Sequence, residues 1–160
     1  QRSKIDINTL CPNIIKTHQA TLNKKKNKVS LTIQTQDMSL FLDKEKLIKI
    51  VENLLLNANK FTNEGTIDLT INKTDTFSTF IIKDSGFGLS NKQKQALFQA
   101  FEKKGTNEYY TYDGLSLEMA IVKELVHLHN GQIYVESKEN QGSTFTIIFP
   151  LTNTPVTTPA

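Results

Sequence analysis

The chain of 160 residues is 38% hydrophobic and 22% charged, which is typical of one folded domain and excludes a disordered tail. Its 19 Lys and Arg against 16 Asp and Glu leave a net charge of +3, too small to predict nucleic-acid binding. No apolar run approaches the roughly eighteen residues of a membrane-spanning helix, the opening residues lack the apolar segment of a secretory signal, and the single cysteine, Cys11, excludes an internal disulfide. We therefore expect a cytoplasmic setting.

The first third of the chain predicts a short extended piece, a helix and a strand. The helix is expected to start near Pro12, because proline is favoured in the first turn of a helix. Four lysines between residues 24 and 28 are interpreted as a solvated polar connector. Val29, Leu31 and Ile33 then alternate with polar residues, which predicts a half-buried strand.

The clearest helix follows Asp43, which is predicted to be its N-cap. Apolar residues recur at three- and four-residue steps after it, namely Leu47, Ile50, Val51, Leu54, Leu55, Ala58 and Phe61. Such a stripe predicts that one helix face packs on another layer. Residues 62–65 are expected to end the helix, and the segments 67–71 and 77–83 are predicted to form a hairpin.

The remaining sequence contains helical and strand patterns separated by one long irregular stretch. The predicted segments are a break at 84–88, a short helix at 92–98, a loop at 102–113, a helix at 117–128, strands at 133–137 and 145–149, and a tail at 151–160. A loop of this length is usually a functional lid or disordered. Helix and strand blocks are segregated, which predicts one α+β domain over residues 1–150, with about five mostly antiparallel strands packed on three helices, followed by a linker or tail.

Three polar residues of the long helix form a stripe at the edge of its apolar face. Asn53, Asn57 and Lys60 are spaced at i, i+4 and i+7. An asparagine carbonyl oxygen is a hard ligand suited to Mg²⁺, and a lysine adds a positive charge for phosphate groups. A row of solvated amides on a surface helix is the alternative.

The break at residues 84–88 carries a second candidate group. Asp84 ends a predicted strand, where its carboxylate can accept a hydrogen bond from the exocyclic amine of adenine. Gly86 and Gly88 let the backbone approach a flat ring closely. An ordinary Asp-Ser-Gly turn is the alternative interpretation.

Several motifs occur together in a fixed order. They are residues 52–62 (ENLLLNANKFT), 84–89 (DSGFGL), 97–101 (LFQAF), 120–131 (AIVKELVHLHNG), 142–145 (GSTF) and the closing pair 149–150 (FP). This set closely resembles the catalytic and ATP-binding domain of sensor histidine kinases, within the superfamily shared with gyrase B-type and heat-shock chaperone ATPases. The resemblance covers roughly residues 5–150.

The resemblance implies a two-layer α/β sandwich of the Bergerat type and a site for ATP and Mg²⁺. It matches Asn57 to the family's Mg²⁺-binding asparagine and Asn53 to the asparagine one turn earlier. The other matches are Lys60 and Phe61 beside the phosphates and nucleotide, Asp84 at the adenine with Gly86 and Gly88, Phe98 and Phe101 opening the lid, and Ser143 behind the adenine.

The resemblance also implies phosphoryl transfer within a two-component phosphorelay. The γ-phosphoryl group of Mg·ATP would pass to a histidine on a separate dimerisation domain of the same protein or dimer, and a response regulator or receiver domain would act downstream. None of His18, His127 and His129 has the expected setting of that acceptor, so the isolated chain is not expected to phosphorylate itself. Nucleic-acid binding and membrane contact are not expected, although the parent protein could be a membrane-bound sensor.

The second glycine-rich motif departs from the family, which has roughly G-x-G-x-G there. Gly114 takes the first glycine place, and Ser116 and Glu118 take the next two, if the following helix fixes the register. If Gly114 to Leu117 aligns with the family's G-L-G-L instead, Ser116 replaces the glycine and two residues are inserted. Neither alignment restores the backbone nest that cradles phosphates.

These changes leave two main functions open, an active histidine kinase domain and a degenerate one. Weakened nucleotide binding would make the domain a degenerate kinase that acts in regulation or docking. Lys103 and Lys104 in the lid could partly compensate for the lost phosphate contacts. A hydrolytic ATPase is disfavoured, because an amide at Asn53 cannot act as a base, although the neighbouring Glu52 keeps that possibility open.

Overall fold

The computed structural model describes residues 1–34, 36–102 and 115–151, and only the backbone of residues 99–102 and 115–117. The strands are β1 (Arg2–Asp6), β2 (Lys28–Ile33), β3 (Ser39–Asp43), β4 (Thr66–Lys73), β5 (Phe77–Asp84), β6 (Gln132–Lys138) and β7 (Gly142–Pro150). The helices are α1 (Ile7–Thr17), α2 (Gln19–Lys24), α3 (Lys44–Lys60), α4 (Asn91–Glu102) and α5 (Leu115–Leu128).

Five strands form one mixed sheet in the order β2-β4-β5-β7-β6. The β2–β4 pair is parallel, and the other three pairs are antiparallel. The predicted hairpin over residues 67–83 is therefore confirmed as β4–β5. A separate antiparallel ribbon joins β1 to β3. The α+β fold class and the mostly antiparallel sheet are confirmed.

One face of the sheet is apolar along most of its length and becomes polar at one end. Leu69, Ile82, Phe145 and Val135 lie in one row across β4, β5, β7 and β6, and the first three are buried in the core against α3 and α5. Two residues further along β5, the equivalent row contains Asp84, with Ser143 and Ser137 on the neighbouring strands. The register of the sheet thus brings the predicted adenine-recognising residue and Ser143 side by side.

The start of α1 differs from the prediction. The helix begins at Ile7, because the Asp6 carboxylate accepts a hydrogen bond from the Asn8 backbone N–H at 3.0 Å and caps it. Pro12 lies inside the helix on its exposed side, so the prediction of a start near Pro12 was wrong. The buried stripe of α1 begins at Ile7 and includes Leu10, before the proline.

The remaining helices extend or add to the prediction. Asp43 is confirmed as the N-cap of α3, since its Oδ1 accepts from the Lys46 N–H at 3.2 Å. Helix α4 runs further than the predicted 92–98, and α2 and β3 were not predicted. Within the described parts of the chain, no helix is long and apolar enough to cross a membrane.

Candidate functional site

Helix α3 carries the predicted amide stripe, and the stripe is more deeply placed than expected. Asn57 is only 3% exposed, whereas Asn53 is half-buried and Lys60 is exposed. The side-chain oxygen of Asn57 is buried, and no hydrogen-bond partner for it lies among the described residues. Leaving such an acceptor unpaired costs about 1–3 kcal/mol. This oxygen is therefore suited to receive a cation or donor from outside the chain.

Asp84 at the end of β5 is a buried carboxylate, 4% exposed. Burial raises its pKa, while hydrogen bonds from the backbone N–H groups of Gly86 and Ser143 offset part of that shift. The Gly86 N–H lies 2.9 Å from Asp84 Oδ1. A carboxylate kept in a desolvated position is a frequent feature of functional sites.

The glycines after Asp84 allow backbone to pack directly on backbone. A methyl group on Gly86 would overlap the carbonyl oxygen of Phe61, and one on Gly88 would overlap that of Lys138. Gly88 also has a φ of +69°, which L-residues rarely adopt. Protein backbone thus fills the space beside both α-carbons. Glycine is needed here for this backbone packing, whereas the sequence suggested that it allows close approach to a flat ring.

Hydrogen bonds fix this loop, residues 84–89, on both sides. The Phe87 N–H donates to the carbonyl oxygen of Phe61 at 3.0 Å, which joins the loop to the end of α3. The Asn140 N–H donates to the carbonyl oxygen of Phe87, which joins the loop to the β6–β7 turn. The end of α3 and the Asp84 loop therefore meet at Phe61.

A cavity of about 540 Å³ opens beside this junction. Its lining residues are Lys60, Phe61, Phe87, Gly88, Ser90, Gln93, Glu139 and Asn140. A volume in this range suits a small-molecule ligand. The Lys60 ammonium lies 5.8 Å from the centroid of the Phe61 ring and brings positive charge to the wall.

The predicted residues do not all line this cavity. Lys60, Phe61 and Gly88 do, whereas Asn57 and Asp84 are buried and are not among its lining residues. Asp84 lines a second, open hollow of about 270 Å³ with Ser143. The described residues thus bring the predicted groups to neighbouring positions around Phe61, not into one shared hollow.

The other predicted residues are only partly described. Ser143 is buried, and its hydroxyl lies 2.7 Å from that of Ser137. Phe98 is 43% exposed on α4, next to the buried Leu97. The Phe101 side chain, Lys103, Lys104, Gly114 and the side chains of Ser116 and Leu117 lie outside the described residues.

The interpretation of residues 24–28 as a solvated connector holds for Lys24, Lys26 and Lys28, which are exposed, but was wrong for Lys25 and Asn27. Asn27 is 5% exposed, and both Asn27 and Lys25 contact the C-terminal end of α3. Hydrophobic periodicity carries no signal for such a contact, because the partners are polar and more than thirty residues apart in sequence.

The family described as histidine kinase-, DNA gyrase B- and HSP90-like ATPases matches residues 42–153. The chain belongs to this family, which confirms the resemblance inferred from its motifs.

Relatives with curated descriptions are sensor kinases. The circadian input-output histidine kinase CikA of Synechocystis sp. is 41% identical over 117 residues, which cover 72% of this chain and 16% of CikA. The sensor histidine kinase YvrG of Bacillus subtilis is 37% identical over 122 residues, which cover 76% of this chain and 21% of YvrG. The chain thus spans only a small part of the length of these relatives.

Solved structures share the fold. The nucleotide-free catalytic domain of the histidine kinase ThkA superimposes with a TM-score of 0.80 at 20% identity, covering 96% of this chain and 97% of that domain. Full-length ShkA in complex with AMPPNP gives a TM-score of 0.81 at 24% identity, covering 98% of this chain and 32% of ShkA.

Proposed function

We propose that this domain binds Mg·ATP and donates the γ-phosphoryl group to a histidine on a separate domain of a two-component sensor kinase. The observation that carries the proposal is the juxtaposition of two buried polar groups on elements that meet at Phe61: the Asn57 oxygen, which has no partner among the described residues, and the desolvated Asp84 carboxylate. Family membership supports ATP binding in general. The two residues would recognise a purine and hold a polyphosphate chelated to Mg²⁺.

Each group fits a part of Mg·ATP. The Asn57 oxygen, with Asn53 one turn earlier, would hold Mg²⁺, which when bound neutralises charge on the phosphate oxygens. Lys60 would add positive charge near the phosphates, and Asp84 would accept a hydrogen bond from the adenine amine. The further residues proposed for the nucleotide site are Phe61, Gly86, Gly88, Phe98, Phe101, Lys103, Lys104, Gly114, Ser116, Leu117 and Ser143.

Transfer to a partner is better supported than hydrolysis. Glu52, the carboxylate next to Asn53, lies 3.1 Å from the His18 ring nitrogen Nε2, so it is engaged toward the end of α1. His18 is thereby paired, and His129 uses both ring nitrogens in contacts with Asp43 and Leu125. Neither of these two histidines is in the position of a free phosphoacceptor, and His127, like them, lacks the expected sequence setting, which favours an acceptor on another domain.

The main test is the binding of Mg·ATP and ADP by calorimetry, in the wild type and in Asp84→Asn. We expect the variant to bind about 10- to 100-fold more weakly, because it loses a charge-assisted hydrogen bond. Since burial raises the pKa of Asp84, the stability that the protonated carboxyl provides below its unfolded pKa is lost as pH rises through the folded pKa, and the ionised carboxylate opposes folding at neutral pH. The variant should therefore be no less stable than the wild type at pH 7.

The matched control is Asp75→Asn, which removes the same charge from the exposed β4–β5 turn. It should bind nucleotide as the wild type does. Equal binding by wild type and Asp84→Asn would contradict the adenine assignment, and no binding by the folded wild type would contradict the proposed function.

A degenerate, docking function is the second candidate, and one observation favours it. Glu118 lies in the first turn of α5, where the positive end of the helix dipole would otherwise favour phosphate. If this function is correct, the wild type should bind Mg·ATP weakly, and Ser116→Gly/Glu118→Gly should bind it more tightly. Equal, tight binding by both proteins would exclude this candidate.

A further inference from the structure

We propose that Lys25 and Asn27 are positioning residues that clamp the C-terminal end of α3 and thereby hold Lys60 and Phe61 at the cavity. The nucleotide readout of this proposal rests on the proposed function. The contacts themselves do not.

Lys25 binds the carbonyl end of α3. Its ammonium donates hydrogen bonds to the carbonyl oxygens of Asn59 and Lys60, both at 2.7 Å. The last carbonyls of a helix have no partner within the helix, and they carry the negative end of its dipole. A cation here satisfies two of them at once, from a part of the chain more than thirty residues away.

Asn27 extends the clamp beyond the helix. Its side-chain nitrogen donates to Asn59 Oδ1 at 2.8 Å and to the carbonyl oxygen of Thr62 at 2.7 Å. Its side-chain oxygen accepts from the Gly65 N–H at 3.1 Å. One buried amide therefore joins the end of α3 to the start of β4.

The backbone of this connector is also fixed. Lys26, between the two residues that contact the end of α3, has a φ of +56° in the left-handed region. The Glu64 N–H donates to the Lys25 carbonyl oxygen, and the Lys28 N–H donates to that of Gly65, both at 2.9 Å. The connector thus pairs with residues 64–65 on main-chain as well as side-chain atoms.

The clamp acts where the helix's own hydrogen bonds are long. The Phe61 N–H lies 3.3 Å from the Asn57 carbonyl oxygen, and the Thr62 N–H lies 3.4 Å from that of Asn59. Phe61 lines the cavity and accepts the hydrogen bond from Phe87. Loosening this end of α3 therefore disturbs both walls of the cavity, the one formed by the end of α3 and the one formed by the loop at residues 84–89.

The test measures Mg·ATP affinity in Lys25→Met, with Lys24→Met as the matched control. Lys24 is the exposed neighbour, and its side chain has no hydrogen bond or ion pair with the described residues. We expect a dissociation constant about tenfold higher in Lys25→Met, a near wild-type value in Lys24→Met, and recovery in Lys25→Arg, which retains the charge and paired donors. An equal loss in both methionine variants would overturn the proposal, since it would indicate general attraction between lysines and a polyanion.

Amide hydrogen exchange without nucleotide separates this proposal from the function. Lys25→Met should speed exchange at Phe61 and Thr62 relative to residues 50–55 of the same helix, and Lys24→Met should not. This holds even if the wild type binds no nucleotide, a result that would refute only the proposed function. Unchanged exchange at Phe61 and Thr62 would overturn the clamp. If Lys25→Met does not fold, Lys25→Gln, which retains an amide donor, is compared with Lys24→Gln.

Discussion

The two ends of α3 are held by different chemistry. At the start, Asp43 caps the helix, and its backbone N–H donates to His129 Nε2 at 3.1 Å. At the end, the ammonium of Lys25 and the amide of Asn27 satisfy the carbonyls and lead into the cavity wall. The first contact requires a neutral histidine, whereas the second uses a lysine ammonium, whose pKa burial lowers, and an uncharged amide.

This difference predicts that changes at the two ends of α3 affect the stability of the domain and the geometry of its site differently. Seventeen helical residues, about 25 Å at 1.5 Å each, lie between the two sets of contacts. Changes at the start of α3 should alter the free energy of unfolding without altering the affinity of the folded domain for nucleotide. Changes at its end should alter both, because Lys60 and Phe61 line the cavity.

The largest effect is expected from Gly86→Ala, at the junction between the end of α3 and the Asp84 loop. The added methyl group would overlap the Phe61 carbonyl oxygen, which is backbone and cannot rotate away. We expect a loss of about 3 kcal/mol in the free energy of unfolding, measured in urea. Gly65→Ala is the comparison, since its added methyl group would meet side-chain atoms, the Ser85 hydroxyl and the Thr62 methyl group, instead of backbone, and we expect a smaller loss. Equal losses would show that backbone packing at Gly86 is not the cause.

Asn27→Ala should produce the next largest effect. It removes three hydrogen bonds and leaves the Thr62 carbonyl oxygen and the Gly65 N–H without them in a buried region. We expect about 2 kcal/mol of destabilisation in urea unfolding, together with weaker nucleotide binding. Asn23→Ala, at an exposed position in α2, should change the unfolding free energy by less than about 0.5 kcal/mol. A similar cost for both would contradict the buried clamp.

The contrast between the two ends of α3 also explains which features could be predicted from the sequence. Helix α3 was predictable because its buried residues recur at helical spacing after a capping aspartate. Asp84 was identifiable because a carboxylate and two glycines follow a strand pattern. The Lys25–Asn27 contacts depend on the packing of distant polar groups, and the alternation of β2 gives no sign of them. Strand β3 was missed for a related reason, since α1, α2 and β2 separate it in sequence from its partner β1.

The smallest predicted effect concerns His129 and depends on pH. Its Nδ1 donates to the Leu125 carbonyl oxygen at 2.9 Å, so Nε2 is the unprotonated acceptor for the Asp43 N–H. Burial lowers the pKa of His129 below its ordinary 6.5; the Leu125 carbonyl and Asp43 oppose this shift, while the charges of Arg2 and Lys46 reinforce it. Stability from the neutral ring is therefore complete above about pH 6.5 and is lost as pH falls through the lower folded pKa.

His129→Phe tests this contact, because the ring can still pack edge-to-face on Phe149 but neither titrates nor accepts a hydrogen bond. Near pH 8 the wild type should be about 1 kcal/mol more stable than the variant in urea unfolding, and the difference should shrink as pH falls below 6.5. His18 and His127 are present in both proteins, so only position 129 differs in the comparison. A difference that is constant with pH would refute the neutral-acceptor role. Weaker nucleotide binding by the folded variant would refute the separation between the two ends of α3.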